Sequence, residues 1–298
     1  MTEVCRPANF RHHGGMGSRS RVYVVTGADS GLGRAVADRL NGDGSVITCG
    51  LGSEVDVRAD LTTANGRTSL VQEVCSMAGH HVDGVVAVAG MGAPRAETVA
   101  LNYFGTVAVL EGLRNALAHS PAPAVAVVSS ASTLNRGSRA LVRACLRDDE
   151  TKALAVARRL IRSRRGSQLY RSSKIALNHW MRTAAIQAGW AGRGIVLNAV
   201  APGVIATEGV MQNWERERVL LETALPQPLA MPGPVQPVAE LLAYAVSPEN
   251  RFMTGQVLYC DGGADALARS VRPQQVYLRY GLRDIVTMVR ESRKLTRS

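Results

Sequence analysis

Tyr170 and Lys174 are the two side chains of this sequence best suited to move a proton. They lie four residues apart in Tyr170-Arg-Ser-Ser-Lys174, within a stretch patterned as a helix, so both project from one face. A free phenol, with a pKa of about 10, is a poor base at neutral pH. An ammonium beside it favours the phenolate and draws that pKa toward the working range. The pair reads as a general acid/base that takes a proton from an alcohol or returns one to a ketone. Ser130 closes the run Ala124-Val-Ala-Val-Val-Ser-Ser130, where its hydroxyl could hold the substrate oxygen. Ser129 is the alternative one residue earlier, and Ser130 is preferred.

The partner of such a proton carrier is implied by Thr26-Gly-Ala-Asp-Ser-Gly-Leu-Gly33. These residues follow the apolar run Val22-Tyr23-Val24-Val25 and open a helical pattern from Arg34 to Leu40. A strand passing through a glycine turn into a helix N-terminus seats a dinucleotide pyrophosphate, because free N–H groups and the positive helix end face the anion. Gly27 permits the turn, Gly31 the close approach to phosphate, and Gly33 the packing of helix on strand. Asp29, Ser30 and Leu32 complete the turn as cofactor contacts.

These side chains must be carried by an alternating scaffold. Short apolar runs predict strands near 21–25, 45–49, 55–57, 83–89, 124–129, 194–200 and 256–260. Helical patterns fall between them near 31–41, 64–78, 97–118, 168–189 and 235–247. That rhythm gives an α/β doubly wound (Rossmann) fold, a parallel seven-stranded sheet in a single domain over 21–268, with the cofactor at the carboxyl ends of the strands. Residues 134–166 interrupt it with a helical insertion before the catalytic helix, marked by Leu141, Ala144, Cys145, Leu154, Ala157, Leu160 and Ile161 at helical spacing. Residues 269–298 form a basic amphipathic tail whose stripe is Leu282, Ile285, Val286 and Val289. Residues 1–20 lack an apolar segment and read as a disordered leader.

Composition narrows the class. The chain has 298 residues, enough for one α/β domain with a full core. Five cysteines, at 5, 49, 75, 145 and 260, are odd in number and scattered, which fits reduced thiols in a cytoplasmic protein and gives no metal site. No apolar run reaches the roughly 18 residues of a membrane span, so stable membrane insertion is not expected. The net charge is +11, concentrated in residues 136–171 and 269–297. Without a nucleic-acid-binding motif or interleaved aromatics, that charge does not indicate nucleic acid.

The spacing Gly-x-x-x-Gly-x-Gly with a downstream Tyr-x-x-x-Lys resembles the short-chain dehydrogenase/reductase family. Further landmarks follow in order: Asp60, Ala89-Gly90, Asn102, Ser130, Asn198 and Pro202-Gly203. The resemblance implies a catalytic set of Asn102, Ser130, Tyr170 and Lys174. In it Asn102 orders a water beside Lys174, and Lys174 also holds the nicotinamide ribose. It implies further cofactor contacts from Asp60 and Leu61 at the adenine, from Ala89 and Gly90, and from Pro202, Gly203, Ile205 and Thr207 around the nicotinamide. The acidic residue that commonly reads the adenosine ribose is missing where Cys49-Gly50-Leu51 stand, with Glu54 slightly beyond. No arginine occupies that place or Ser30, so NAD is preferred over NADP, with Leu51 at the contact. Ser130 and Tyr170 are 40 residues apart, wider than in most members. That insertion resembles the branch of bacterial 3-alpha-hydroxysteroid dehydrogenase/carbonyl reductases, which implies a small apolar cyclic alcohol or ketone as substrate. Coniferyl alcohol dehydrogenases are the alternative branch, and a dinucleotide-binding scaffold without catalysis is the alternative from another class. The insertion is expected to block association through the Tyr170 helix and to leave a homodimer, or a homotetramer, formed through the last strand.

Overall fold

The computed structural model describes residues 20–270 together with Leu282 and Val286. The first half runs β1 (Arg21–Thr26), α1 (Gly31–Leu40), β2 (Gly44–Gly50), β3 (Val57–Arg58), α2 (Ala64–Met77) and β4 (Gly84–Ala87). It continues through α3 (Glu97–Val99), a π-helical segment (Ala100–Gly105), α4 (Thr106–Leu117) and β5 (Ala124–Val128). The second half holds α5 (Arg139–Leu146), α6 (Glu150–Arg162), α7 (Gln168–Ala184), β6 (Val196–Pro202), α8 (Glu208–Gln212), α9 (Trp214–Ala224), α10 (Gln236–Val246), β7 (Val257–Cys260) and α11 (Ala264–Arg269). All seven strands are parallel, in the order β3-β2-β1-β4-β5-β6-β7. The direction of winding reverses between β1 and β4, which is where a doubly wound sheet opens a crevice.

Alternation along each strand feeds two apolar layers. Val24, Val85, Val125 and Val127 face the layer with α2, α4 and α7. Tyr23, Val25, Val86, Ala124 and Ala126 face the layer with α1 and α10. The near-continuous apolar strands follow from burial on both faces.

Each expected strand is present, with shifted ends. The strand near 55–57 contracts to Val57–Arg58, and that near 83–89 to Gly84–Ala87. The helix expected over 97–118 contains the π-helical turn, and that over 168–189 stops at Ala184. The expectations include neither α8 nor α9. These two helices bury no residue, so no apolar period marks them in the sequence.

The insertion forms α5 and α6. Leu141, Ala144, Cys145, Ala153, Ala157 and Leu160 are buried in the same layer as Leu169 and Leu177 of α7, while Leu154 and Ile161 are partly buried against it. Ser138 and Asp149 cap the two helices, accepting from Leu141 and Lys152 N–H at 3.4 and 2.9 Å. α5 lies along α7, where Ser138 N–H donates to Ser172 Oγ at 2.8 Å. The leader, and Ile285 and Val289 of the tail stripe, lie outside the described residues. Leu282 and Val286 are helical and exposed.

Candidate active site

The glycine turn lies at the carboxyl end of β1, and both backbone conformation and steric room explain it. Gly27 and Gly31 adopt φ of +70° and +53°, which L side chains avoid. A Cβ on Gly33 would overlap the Gly27 carbonyl, and one on Gly27 would stand 2.8 Å from the Ala89 backbone. A Cβ on Gly31 would meet Thr207 at 3.3 Å, so the first turn of α1 faces Thr207 across the cleft. Ser30, at the N-cap of α1, makes no side-chain capping bond, which leaves the first-turn N–H groups to a ligand anion. The cleft measures about 360 Å³ and is lined by Gly27, Asp29, Ser30, Gly31, Leu32, Leu51, Asp60, Leu61, Ala89, Gly90 and Thr207, among others. This cradle, which side chains would fill, fits a dinucleotide.

Two of the expected adenine-side contacts have other duties as well. Asp60 Oδ1 accepts from Thr62 N–H and Oγ1 at 2.9 and 2.7 Å. Leu61 is buried, and its carbonyl accepts from Arg67 Nε at 2.9 Å. Glu54 lies outside the cleft lining.

The reacting end is built where β5 meets α7. Ser130, two residues beyond β5, accepts from Ser132 N–H at 3.1 Å, and its hydroxyl also faces the Tyr170 phenol. Ser129 instead holds the sheet, donating its N–H to Val200 at 2.7 Å, and its buried hydroxyl has no partner. Lys174 is buried one helical turn below Tyr170. Its Nζ stands 5.9 Å from the Tyr170 ring centroid and donates to the Val128 carbonyl at 2.7 Å. Burial pulls the ammonium down to about 8. Burial also pushes the Tyr170 phenol up, with the Ser130 hydroxyl opposing it. Their spacing predicts a lowering of the phenol by Lys174; in this geometry the ammonium donates to a carbonyl, and burial acts on the phenol in the opposite direction.

Asn102 sits in the π-helical turn, which reorients one residue of an otherwise regular helix. Its Oδ1 accepts from Met91 N–H at 2.9 Å, while Nδ2 donates to the Met91 carbonyl and to Ser173 Oγ at 3.0 and 3.1 Å. A Cβ on Gly90 would stand 3.2 Å from Asn102 Oδ1 and 3.5 Å from Lys174 Nζ. Gly90 therefore joins the cleft to the catalytic set.

The expected nicotinamide side follows β6. Pro202 ends β6 and is buried, and Gly203 N–H donates to Cys260 at 3.1 Å. Gly203 and Ile205 line a separate cavity of about 170 Å³ with Gln227 and Cys260. The Ile205 side chain is buried in the layer with α1 and α10. Sequence reasoning missed Thr26, whose Oγ1 accepts from Ala89 N–H at 3.2 Å, and Glu208, which lines the cleft. A hydroxyl ending an apolar strand was the available signal for Thr26. Among the described residues no His, Cys, Asp or Glu cluster could hold a metal ion, and no helix is long and apolar enough to cross a membrane.

Residues 45–265 match the family model described as Enoyl-(Acyl carrier protein) reductase. The chain is 29% identical over 255 residues to a 3-alpha-hydroxysteroid dehydrogenase/carbonyl reductase of Comamonas testosteroni, covering 83% of this chain and 98% of the relative. The crystal structure of a 3-alpha-hydroxysteroid dehydrogenase from Pseudomonas sp. B-0831, complexed with NADH, superposes with a TM-score of 0.76 at 34% identity, covering 84% of this chain and 99% of that one. An NADP complex of RhlG from Pseudomonas aeruginosa shares the fold, with a TM-score of 0.64 at 21% identity over 82% of this chain and 96% of that one. The chain belongs to the short-chain dehydrogenase/reductase family, whose members are NAD(P)-dependent oxidoreductases.

Proposed function

We propose that the protein interconverts a secondary alcohol and its ketone on an apolar cyclic substrate such as a hydroxysteroid, with NAD as cofactor. The observation that carries this reading is the Ser130 hydroxyl set against the Tyr170 phenol, with Lys174 buried behind them. When bound, the nicotinamide supplies the hydride chemistry. Ser130 would hold the substrate oxygen, and Tyr170 would take the alcohol proton or return it to the ketone. Lys174 would hold the ribose, and Asn102 would keep the loop after β4 in register with α7. Aligning the reactants is the larger share of what such a site contributes.

The apolar character of the substrate is supported by the segment between β6 and α10. α8 begins at the cleft with Thr207 and Glu208, while Asn135 Nδ2 donates to the Ala224 carbonyl at 3.3 Å, tying α9 to the loop after Ser130. This segment therefore borders the reacting end, and its Met211, Val219 and Leu220 are exposed. The Comamonas relative, named for hydroxysteroids and carbonyls, supports the same class. The four described cysteines are free thiols, which agrees with a cytoplasmic setting.

The test is absorbance of the reduced nicotinamide during incubation with cyclic alcohols and ketones, using NAD and NADP in turn. Turnover of steroid or other alicyclic alcohols is the expected result. Turnover of aryl allylic alcohols alone would move the assignment to the coniferyl alcohol branch, and dinucleotide binding without any turnover would leave a scaffold.

A further inference from the structure

The adenosine end of the cleft lies where Gly50-Leu51-Gly52 leave β2, and none of these residues is acidic. A carboxylate nevertheless stands there. Asp29 reaches across from the glycine turn: its Oδ1 accepts from Leu51 N–H at 2.9 Å and also from Gly52 N–H, and its Oδ2 lies 3.2 Å from the Leu51 nitrogen.

The sequence of β2 is fitted to this arrival. A Cβ on Gly50 would overlap the Asp29 carboxylate, and one on Gly52 would stand 2.7 Å from Oδ1. Neither glycine is among those with positive φ. Room for the carboxylate, rather than backbone conformation, is what these two positions require. The three residues 29, 50 and 52 thus form one device, assembled from two segments that are adjacent only because β1 pairs with β2.

We infer that Asp29 is the residue that reads the adenosine ribose and selects NAD over NADP. The inference rests on the dinucleotide reading of the cleft. A carboxylate accepts hydrogen bonds from ribose hydroxyls, whereas a 2′-phosphate would bring further negative charge against it in a partly enclosed cleft. The backbone N–H groups of Leu51 and Gly52 hold the carboxylate in place and leave Oδ2 with capacity for a hydroxyl donor. Arg34 sits beside the same loop, its guanidinium donating to the Asp29 carbonyl. With the Asp29 charge removed, the positive Arg34 guanidinium beside this loop is no longer opposed by a carboxylate, which lessens the penalty for a 2′-phosphate. An arginine introduced at Leu51 alone would pair with Asp29 and leave NAD preferred.

Fluorescence titration of NADH and NADPH onto the intact protein tests this without reference to turnover. The wild type is expected to bind NADH tighter by on the order of a hundredfold. Asp29→Asn keeps the shape and removes the charge. It should reduce that ratio at least about tenfold, mainly by tightening NADPH. Asp29→Ser should do the same, and thermal melts of both variants establish that they are folded. A wild type that binds both alike or prefers NADPH, or folded variants with an unchanged ratio, overturns the assignment of Asp29. A wild type that binds neither dinucleotide overturns the cleft reading and the assignment together.

Discussion

Arg67 and Glu150 meet in two hydrogen bonds of 2.7 Å each, joining α2 to the first turn of α6. The Arg67 guanidinium also donates to the carbonyls of Leu61, Thr62 and Ala100. One buried side chain therefore ties the insertion, the adenine-side loop and the π-helical turn that carries Asn102. Truncating Glu150 to alanine leaves the guanidinium buried without its charge partner. The unfolding free energy from urea titration is expected to fall by about 2–3 kcal/mol.

Tyr170→Phe should lower turnover by several orders of magnitude while NADH affinity changes by less than about threefold, since it removes one hydroxyl at the reacting oxygen. Lys174→Ala should damage both turnover and NADH binding. A Phe variant retaining more than about a tenth of wild-type kcat would sink the proton-transfer role of Tyr170.

Burial holds the Tyr170 phenol protonated well beyond neutral pH. Alcohol oxidation needs it deprotonated, so its kcat/KM should climb steadily from about pH 6 to about pH 10. Ketone reduction needs the proton and should stay level through neutrality, then fall. Opposite pH trends in the two directions are the readout. An oxidation rate that levels off near neutral pH would mean that bound cofactor lowers the phenol strongly.

Lys174 imposes a stability trend of its own. Its ammonium is pulled from 10.5 to about 8 by burial, so between those values the unfolded chain carries a proton that the folded chain has released. Stability contributed by this group therefore rises with pH across that window, and below about 8 the burial cost is fully present. Lys174→Met should be more stable than wild type at about pH 7, with the gap narrowing by about pH 10. Urea midpoints at the two pH values measure the difference.

Gly33→Ala would force a methyl group into the Gly27 carbonyl. The turn must open, which should cost up to about 3 kcal/mol and weaken NADH binding at least tenfold. Titration calorimetry with NADH, alongside thermal unfolding, checks both effects.

Phe252, in the loop before β7, is 99% exposed. The flank of α7, meanwhile, is covered by α5. A homodimer is therefore expected to form through the β7 side, and Phe252→Asp should shift it toward monomer by sedimentation velocity. Unchanged association in that variant would send the interface elsewhere.

Periodicity, spacing and glycine placement by themselves determined the seven parallel strands, the glycine turn, the helical insertion and the Tyr170–Lys174 face. Each is a local property: apolar runs of strand length, positive φ that favours glycine, and four-residue spacing on a helix. The exposed helices α8 and α9 carry no such period and stayed hidden. Only the tertiary structure decided which groups face one another across the chain. It directed Lys174 at the Val128 carbonyl, buried the Tyr170 phenol, which pushes it up, and packed Ile205 into the core. It also carried the Asp29 carboxylate to the end of β2, a place left without an acid when the sequence is read strand by strand. Hydrogen-bond geometry and desolvation depend on atoms brought together from distant segments, and no one-dimensional spacing encodes them.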